Sequence, residues 1–345
     1  MARILILGGT RFLGRHIAEQ ALAAGHELTL LHRGRSQPGL FPQAQHLIAD
    51  RDHDLSALHG RSWDVAIDTS AYVPRQMHEL ATALAGRVGQ YQLVSTISVY
   101  ERFEALGTNE DAPLKRLDNP AAETVDSNTY GGLKALCEAQ ARAHFGARCL
   151  ISRPGLLVGP HDPTGRFTWW VQRLLRGDEV LAPGDPRAPV QFIDARDVAA
   201  WLLLQAANGT RGVFNLNGPD GLLTMGEMLN TLREVLNPDA RLTWVAEPFL
   251  LGHQVAPWTE LPVWLPGASQ DMHRTSTARA QAHGLRCRPL AQTVADTAAW
   301  LRAPQRTLAG PANGPQRPNV GLTPEREAAL LQAWHAQASA ATDTG

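Results

Sequence analysis

One pair of side chains has the types and the spacing for proton transfer: Tyr130 and Lys134, in the segment YGGLK. Residues four positions apart share one face of a helix. A free tyrosine hydroxyl has a pKa of about 10, and a nearby ammonium group lowers that pKa because it stabilises the phenolate. The chain has only four tyrosines and two lysines, the other lysine being Lys115, so this spacing rarely arises by chance. We therefore expect Tyr130 to be a general acid/base that Lys134 assists.

A glycine-rich segment, GGTRFLG at residues 8–14, separates the first predicted strand, residues 3–7, from a helix that ends near Gly25. A turn of this composition lets a pyrophosphate approach the backbone, and the N–H groups that start the helix then face the phosphates. The arrangement predicts a dinucleotide site, where Lys134 would hold a ribose and Tyr130 would lie beside the nicotinamide carbon. The predicted cofactor contacts in this segment are Gly8, Gly9, Thr10, Arg11, Phe12, Leu13 and Gly14.

The residues after the second predicted strand, 27–31, bear on which dinucleotide binds. An acidic residue there usually holds the adenosine ribose of NAD, but this chain has HRGR at residues 32–35. Arg33 can instead pair with a 2′-phosphate, with Arg11 as a second contact, because a guanidinium group matches a phosphate in a bidentate manner. The alternative is that both arginines are solvated surface residues. This ribose-end chemistry favours NADP(H) over NAD(H).

Four further polar residues stand at the ends of predicted strands. Asp50 ends the third strand and either accepts a hydrogen bond from the adenine amino group or caps a loop. Arg51 and Ser70, which follow the third and fourth strands, complete the predicted cofactor-binding set on this side. Thr96 closes the fifth strand, at the edge where doubly wound sheets place ligands. Its hydroxyl either bonds the reacting oxygen or caps the strand end.

Strands alternate with helices over the first 154 residues. This alternation predicts an α/β fold, a doubly wound parallel sheet of the Rossmann type, in which strands covered on both faces read as continuous apolar runs. Two helical segments, 75–85 and 127–144, flank a long loop at 100–125. The predicted strands are residues 3–7, 27–31, 46–50, 64–68, 91–96 and 147–154.

The pattern loosens after residue 154, and we divide the chain there. Residues 1–160 form the predicted dinucleotide-binding Rossmann domain, to which the later segment 190–217 returns. Residues 161–302 form mainly a smaller C-terminal α/β substrate lobe, which includes an amphipathic helix at 225–236. Residues 303–345 read as a Pro/Gly-rich linker and a C-terminal helix.

Apolar side chains of the C-terminal half allow two readings. Trp244, Trp258 and Trp264 either belong to a packed core or form an apolar wall over a substrate. The last helix is predicted to start at Thr323-Pro324, because proline suits the first helical position. Its apolar stripe would consist of Leu330, Leu331 and Trp334.

Composition excludes several classes of protein. The 345 residues are 44% apolar and can bury a large core, and a net charge of −1 gives no general attraction to nucleic acid or membranes. Three cysteines without a CxxC pair indicate reduced thiols in a cytoplasmic protein. Because the sequence has no signal-peptide core, long apolar stretch, GxSxG or HExxH, we expect no membrane span, no serine-hydrolase chemistry and no metal site.

Five segments, in this order along residues 1–300, resemble the extended and atypical short-chain dehydrogenase/reductases, the NAD-dependent epimerase/dehydratase family. The resemblance implies that Thr96, Tyr130 and Lys134 are the catalytic trio. It also implies a nicotinamide contact at Pro154 and Gly155, and a C-terminal substrate lobe. The segments are GGTRFLG at 8–14, STISVY at 95–100, YGGLK at 130–134, RPGLLVGPHDP at 153–163 and QFIDARDVA at 191–199.

Departures from the family pattern bear on the substrate. Arg11 replaces a middle glycine, which is typical of an atypical subgroup that includes an RNA-binding member. Leu156 and Val190 stand where sugar-nucleotide epimerases carry an asparagine and an arginine that grip the diphosphate, and this argues against a nucleotide-diphosphate sugar. Ile97-Ser98 replaces the acid pair of the sugar-nucleotide dehydratases, which argues against that dehydration mechanism.

These observations lead to a functional hypothesis. We expect an NAD(P)-dependent oxidoreductase or epimerase that acts on a secondary alcohol or ketone of a polar small molecule, with a homodimer as a candidate assembly. The alternative is a non-catalytic or RNA-binding member of the same fold. The intact Tyr-x-x-x-Lys pair and the net charge of −1 argue against RNA as a partner.

Overall fold

The computed structural model describes residues 1–218, 221–303 and 320–342. Within these ranges the strands are β1 (Arg3–Leu7), β2 (Glu27–His32), β3 (Gln45–Ile48), β4 (Trp63–Asp68), β5 (Val88–Val94), β6 (Cys149–Pro154), β7 (Leu156–Val158), β8 (Glu179–Pro183), β9 (Pro189–Val190), β10 (Phe192–Asp194), β11 (Gly212–Leu216), β12 (Leu223–Thr224) and β13 (Arg241–Val245).

The helices over the same ranges alternate with strands in the first half and dominate the second half. They are α1 (Phe12–Ala23), α2 (Pro74–Ala83), α3 (Tyr130–Phe145), α4 (Arg166–Arg176), α5 (Ala195–Asn208), α6 (Met225–Leu236), α7 (Glu247–Gly252), α8 (Ala278–Ala282), α9 (Leu290–Arg302) and α10 (Pro324–Thr342).

Seven parallel strands form the main sheet, in the order β11–β6–β5–β4–β1–β2–β3. The strand order reverses between β1 and β4, and ligands of such sheets bind at the carboxyl ends of the strands on either side of that point. The predicted doubly wound Rossmann sheet is therefore confirmed.

Helices cover both faces of this sheet, and β1 shows why its sequence is apolar throughout. Ile4 and Ile6 pack on the side of α1 and α5, whereas Leu5 and Leu7 pack on the side of α2 and α3. Successive side chains of a strand point to opposite faces, so a strand covered on both sides needs apolar residues at every position.

Several element boundaries differ from the prediction. The third strand was expected at residues 46–50 but ends at Ile48, so Asp50 lies in the loop that follows. The fifth strand ends at Val94, two residues before Thr96.

The helix predicted at 127–144 begins later, at Tyr130. The Asp126 carboxylate accepts hydrogen bonds from the backbone N–H groups of Asn128 and Thr129, at 2.8 and 2.9 Å. This turn satisfies backbone donors just before the helix and places Tyr130 at its first position.

The C-terminal lobe has its own core between α4, α6 and α9 and the parallel pair β8–β13. Trp264 is fully buried in this core, whereas the ring of Trp258 lies 5.3 Å from the guanidinium carbon of Arg166. Trp264 therefore belongs to the packed core, whereas an apolar wall over a substrate stays a prediction for this segment.

The last helix, α10, packs on the same lobe. Leu330 and Leu331 are buried there, and the Trp334 ring meets Phe249 at a centroid distance of 5.0 Å. Most of the predicted Pro/Gly-rich linker, residues 304–319, lies outside the described residues. No helix of the described ranges is long and apolar enough to cross a membrane.

Candidate active site

The glycine segment between β1 and α1 forms a tight turn in which side chains do not fit. Gly8 has a φ of +94°, and a Cβ atom there would lie 2.7 Å from Thr69 Oγ1. A Cβ atom at Gly14 would collide with the carbonyl oxygen of Gly8. The start of α1 therefore rests directly on the turn, and this bare backbone fits the pyrophosphate of a dinucleotide.

Two cations predicted at the adenosine end, Arg11 and Arg33, lie close enough to interact. Burial is the main cause that lowers the pKa of the Arg11 guanidinium; Tyr72 opposes this effect, and the positive charge of Arg33 adds to it. Two neighbouring guanidinium groups that repel each other form a favourable place for an anion.

The side chain of Arg51, which was predicted to contact the cofactor, forms a buried ion pair. Its guanidinium forms a bidentate ion pair with the buried carboxylate of Asp68, with both N–O distances at 3.0 Å, and also donates to Ser70 Oγ at 3.1 Å. The pair joins the segments that follow β3 and β4 and engages both terminal nitrogens of the guanidinium group, while the dinucleotide contact of Arg51 stays a prediction. Asp50 accepts a hydrogen bond from the N–H group of Asp52 at 3.2 Å.

Two glycines after Tyr130 allow α3 to approach its neighbours. A Cβ atom at Gly131 would collide with the carbonyl oxygen of Ser98 and lie 2.9 Å from Lys115 Cδ. A Cβ atom at Gly132 would lie 2.5 Å from Leu117 Cγ. The start of α3 is thus pressed against the loop that begins at Thr96, a role for the two glycines that the sequence analysis missed.

Lys134 lies at the carboxyl ends of β4 and β5. Its Nζ atom donates hydrogen bonds to the carbonyl oxygens of Ala71 and Val94, at 2.7 and 2.8 Å. Burial lowers the pKa of this ammonium group. The two carbonyl oxygens fix the ammonium group one helical turn after Tyr130.

Thr96 caps the turn that follows β5. Its Oγ1 accepts a hydrogen bond from the backbone N–H of Ser98 at 3.1 Å and donates to Ser98 Oγ at 3.2 Å. The capping role that the sequence left open is therefore observed, and it orients the hydroxyl at the same edge of the sheet as Lys134.

The end of β6 connects the sheet to the C-terminal lobe. The N–H of Gly155 donates to Leu216 O at 3.0 Å, and a Cβ atom at Gly155 would collide with the amide group of Asn217. Asn217 donates in turn to Gln191 Oε1 at 2.9 Å. This junction beside Pro154 was not predicted, because its residues are far apart in the sequence.

His273 extends this junction into the lobe. Its Nδ1 accepts a hydrogen bond from the N–H of Gln191 at 3.0 Å, and its Nε2 donates to Val263 O at 2.9 Å. Burial lowers the pKa of His273 to about 4, so the ring is neutral at pH 7. Val190, which precedes Gln191 in the chain, is buried in the core of the lobe. No three potential metal-ligating side chains come together in the part of the chain that is described.

Known proteins share this fold at low sequence identity. The model of the NAD dependent epimerase/dehydratase family matches residues 4–216. The UDP-glucuronic acid 4-epimerase from Bacillus cereus, solved in complex with NAD, superposes with a TM-score of 0.65 at 16% identity, over 87% of this chain and 98% of its own.

Two curated relatives are somewhat more similar in sequence. The chloroplast stem-loop binding protein of 41 kDa b from Arabidopsis thaliana is 26% identical over 234 residues, which is 63% of this chain and 58% of its own length. The phenylcoumaran benzylic ether reductase PT1 from Pinus taeda is 27% identical over 262 residues, 72% of this chain and 80% of its own. Because the family model spans well over half of the residues, the chain belongs to the NAD dependent epimerase/dehydratase family and is an enzyme of the short-chain dehydrogenase/reductase type.

Proposed function

We propose that the protein is an NADP(H)-dependent oxidoreductase or epimerase that acts on a secondary alcohol or ketone of a polar small molecule. The observation that carries this proposal is the position of Lys134, whose ammonium group is fixed at the carboxyl edge of the sheet one helical turn after Tyr130. This edge, next to the reversal of strand order, is where such sheets bind a dinucleotide.

In this mechanism Tyr130 exchanges a proton with the substrate oxygen. The positive charge of Lys134 stabilises the phenolate and lowers the tyrosine pKa toward the working pH. Two N–H groups of Lys134 are held by carbonyl oxygens, which leaves the third for a ribose hydroxyl. Thr96 would hold the substrate oxygen through its hydroxyl, which then gives up its hydrogen bond to Ser98 Oγ. The nicotinamide ring, when bound, supplies or accepts the hydride.

Epimerisation and simple oxidation or reduction use the same groups. If the ketone stays bound and is reduced on its other face, the alcohol is inverted; if it leaves, the reaction is an oxidation. Among the relatives, the dTDP-6-deoxy-L-talose 4-dehydrogenase of Kitasatospora kifunensis is 27% identical over 287 residues, and its name supports alcohol–ketone chemistry. The apolar residues Leu156 and Val190 still argue against a nucleotide-diphosphate sugar as the substrate here.

The preference for NADP(H) rests on Arg11 and Arg33. No acidic residue follows β2, and the two guanidinium groups are near enough for the charge of Arg33 to affect Arg11. Because a 2′-phosphate carries up to two negative charges, it would relieve this repulsion, whereas the bare ribose of NAD would not.

The proposed cofactor preference can be tested on the wild-type protein and two variants. Titration with NADPH and NADH, followed by fluorescence, should give a lower Kd for NADPH. Arg33→Ala should raise the Kd for NADPH about tenfold, a loss of about 1.4 kcal/mol, and leave the Kd for NADH nearly unchanged. Arg35→Ala, which removes the same charge from an exposed position of the same turn, is the matched control. Equal losses for both cofactors would refute the role of Arg33.

The proposed chemistry can be tested once a panel of hydroxy and keto compounds has been screened by NADPH absorbance. Tyr130→Phe keeps the ring and removes the proton-transferring hydroxyl, so turnover should fall by about 10²–10⁴ while the Kd for NADPH stays within about twofold. Turnover at the wild-type rate would remove Tyr130 from the mechanism.

A second candidate function is RNA binding, which the match to the chloroplast stem-loop binding protein favours. The net charge of −1 argues against tight RNA binding, and the presence of Tyr130 and Lys134 favours an enzymatic function. We keep the cytoplasm as the expected location, in line with Cys137, Cys149 and Cys287, which form no disulfide, and a homodimer as a candidate assembly.

A further inference from the structure

Two histidines on neighbouring strands form a hydrogen-bonded chain under the turn that carries Arg33. The backbone N–H of Gly34 donates to His32 Nδ1 at 3.0 Å, and His32 Nε2 lies 2.8 Å from His46 Nδ1. His46 Nε2 lies 3.0 Å from the carbonyl oxygen of Phe41. The chain thus joins the start and the end of the loop between β2 and β3.

The direction of every bond in this chain follows from its two ends. A backbone N–H can only donate, so His32 Nδ1 is an acceptor and His32 carries its hydrogen on Nε2. That hydrogen is donated to His46 Nδ1, and His46 Nε2–H is then left to donate to the Phe41 carbonyl oxygen. Both rings are neutral and each is held in one tautomer, and burial lowers the pKa of His32, which favours its neutral form.

The loop that these histidines hold has few backbone contacts of its own to offset its unusual conformation: the described ones run from Leu40 N–H to Gln37 O and from Ala44 N–H to Phe41 O. Gly34, Gln37 and Phe41 have φ values of +70°, +44° and +63°. Gly34 adopts this region without strain, but it costs Gln37 and Phe41 about 1 kcal/mol or more each, so their conformation persists only where the surroundings stabilise it. The contacts of His32 to Gly34 and of His46 to Phe41 act on two of these three positions.

We propose that His32 and His46 are positioning residues of the cofactor site: they hold the turn after β2 so that Arg33, together with Arg11, meets the 2′-phosphate of NADP(H). This inference rests on the proposed cofactor preference. The histidines act through the backbone, since the residue bonded to His32 Nδ1 is Gly34, the neighbour of Arg33. They therefore set cofactor specificity without touching the cofactor.

The test compares Kd values for NADPH and NADH, measured by fluorescence on the full chain. His46→Ala removes the middle of the hydrogen-bonded chain and should raise the Kd for NADPH about tenfold while the Kd for NADH changes less than about threefold. His46→Asn should lose less of the preference for NADPH than His46→Ala, because its amide oxygen can take the place of Nδ1 as the acceptor for His32, although its amide nitrogen is too short to replace Nε2 at the Phe41 carbonyl oxygen. His59→Ala, at an exposed histidine of the next loop, is the control and should change neither value.

A double variant decides whether His46 acts through Arg33. If it does, His46→Ala added to Arg33→Ala should cost less than about twofold further in NADPH affinity, because the side chain that it positions is already absent. Additive losses, or equal losses for NADPH and NADH, would overturn the inference while leaving the role of Arg33 intact. Should His46→Ala fail to fold, His46→Phe keeps the ring volume and removes both nitrogens. A wild-type protein that does not prefer NADPH would refute the proposed cofactor preference itself and the inference with it.

Discussion

Replacing Glu327 by alanine should destabilise the C-terminal lobe by about 3 kcal/mol, because it leaves a buried arginine without its counter-ion. Glu327 lies in the first turn of α10, and its two carboxylate oxygens are 2.8 and 2.6 Å from Arg173 Nε. The same carboxylate accepts hydrogen bonds from Arg176 Nη2 at 2.8 Å and from the backbone N–H of Leu181 at 3.1 Å. The side chains of Arg173 and Glu327 are only 4% and 3% exposed.

The size of this effect follows from what remains after the substitution. Breaking a buried ion pair by removing one partner costs about 3–5 kcal/mol. Arg173 would keep hydrogen bonds to the carbonyl oxygens of Gly177 and Glu179, which places the loss at the lower end of that range. Glu327→Gln keeps the shape and one acceptor oxygen, so it should cost less than alanine.

Urea denaturation followed by tryptophan fluorescence suits this measurement, because Trp170 and Trp264 are buried in the core of the same lobe. Glu325→Ala removes an equal charge from an exposed position of the same helical turn and should cost no more than about 1 kcal/mol. If Glu327→Ala and Glu325→Ala have the same free energy of unfolding, the buried pair does not anchor α10 and the reasoning is refuted.

Three further predictions concern the active-site helix, the pH dependence of stability and nucleic acid. In steady-state kinetics, Gly131→Ala should lower turnover at least tenfold and leave the Kd for NADPH within about twofold, because the added methyl group would push Tyr130 away from the Ser98 loop. The control is Gly39→Ala, where a Cβ atom would meet open space. The pKa of His273 is 6.5 in the unfolded chain and about 4 in the folded protein, so the unfolded state gains a proton first as the pH falls. The free energy of unfolding should therefore be highest above pH 6.5 and decrease as the pH drops toward 4. A urea midpoint that does not change over that range would contradict this. A stem-loop RNA should bind weakly and be released between 50 and 200 mM salt in a filter-binding assay, whereas binding that survives the higher salt would support the RNA-binding alternative.

The sheet could be predicted from the sequence because its strands are buried on both faces. An apolar run such as RILIL at residues 3–7 suits a strand that is covered on both faces, and the following glycines indicate where it ends. The ends of strands were harder to predict. Asp50 was expected at the end of β3, but β3 ends at Ile48, because His32 opposite Ile48 is the last residue of β2 with which β3 can pair. The two-residue strands of the lobe were not predictable at all, since β9 exists only through its pairing with β12.

The candidate site was predictable in its residue types but not in its contacts. Tyr130 and Lys134 stand out by their spacing and rarity in the chain. The ion pair between Arg51 and Asp68 could not be predicted, because the two residues are 17 positions apart. Arg51 follows β3 and Asp68 ends β4, and the pair forms only when these strands end at the same edge of the sheet. His32 and His46 are likewise unremarkable in the sequence and meet only because β2 and β3 are neighbours.

Contacts in three successive turns of α3 fix the orientation of this helix and, with it, the position of Tyr130. At its first turn, Gly131 rests on the Ser98 carbonyl, and one turn later Lys134 is held by two carbonyl oxygens of the sheet edge. After another turn on the same face, Glu138 forms a buried ion pair with Arg153, with N–O distances of 2.9 and 2.7 Å.

Arg153 precedes Pro154 and Gly155 in the chain, so this ion pair links the helix that carries the proposed acid/base to the strand that leads to the proposed nicotinamide contact. A rotation of α3 by one residue, about 100°, would break all three sets of contacts at once. In the proposed mechanism, the position of the Tyr130 hydroxyl relative to the proposed nicotinamide contact at Pro154 and Gly155 is therefore set by the packing of regular elements.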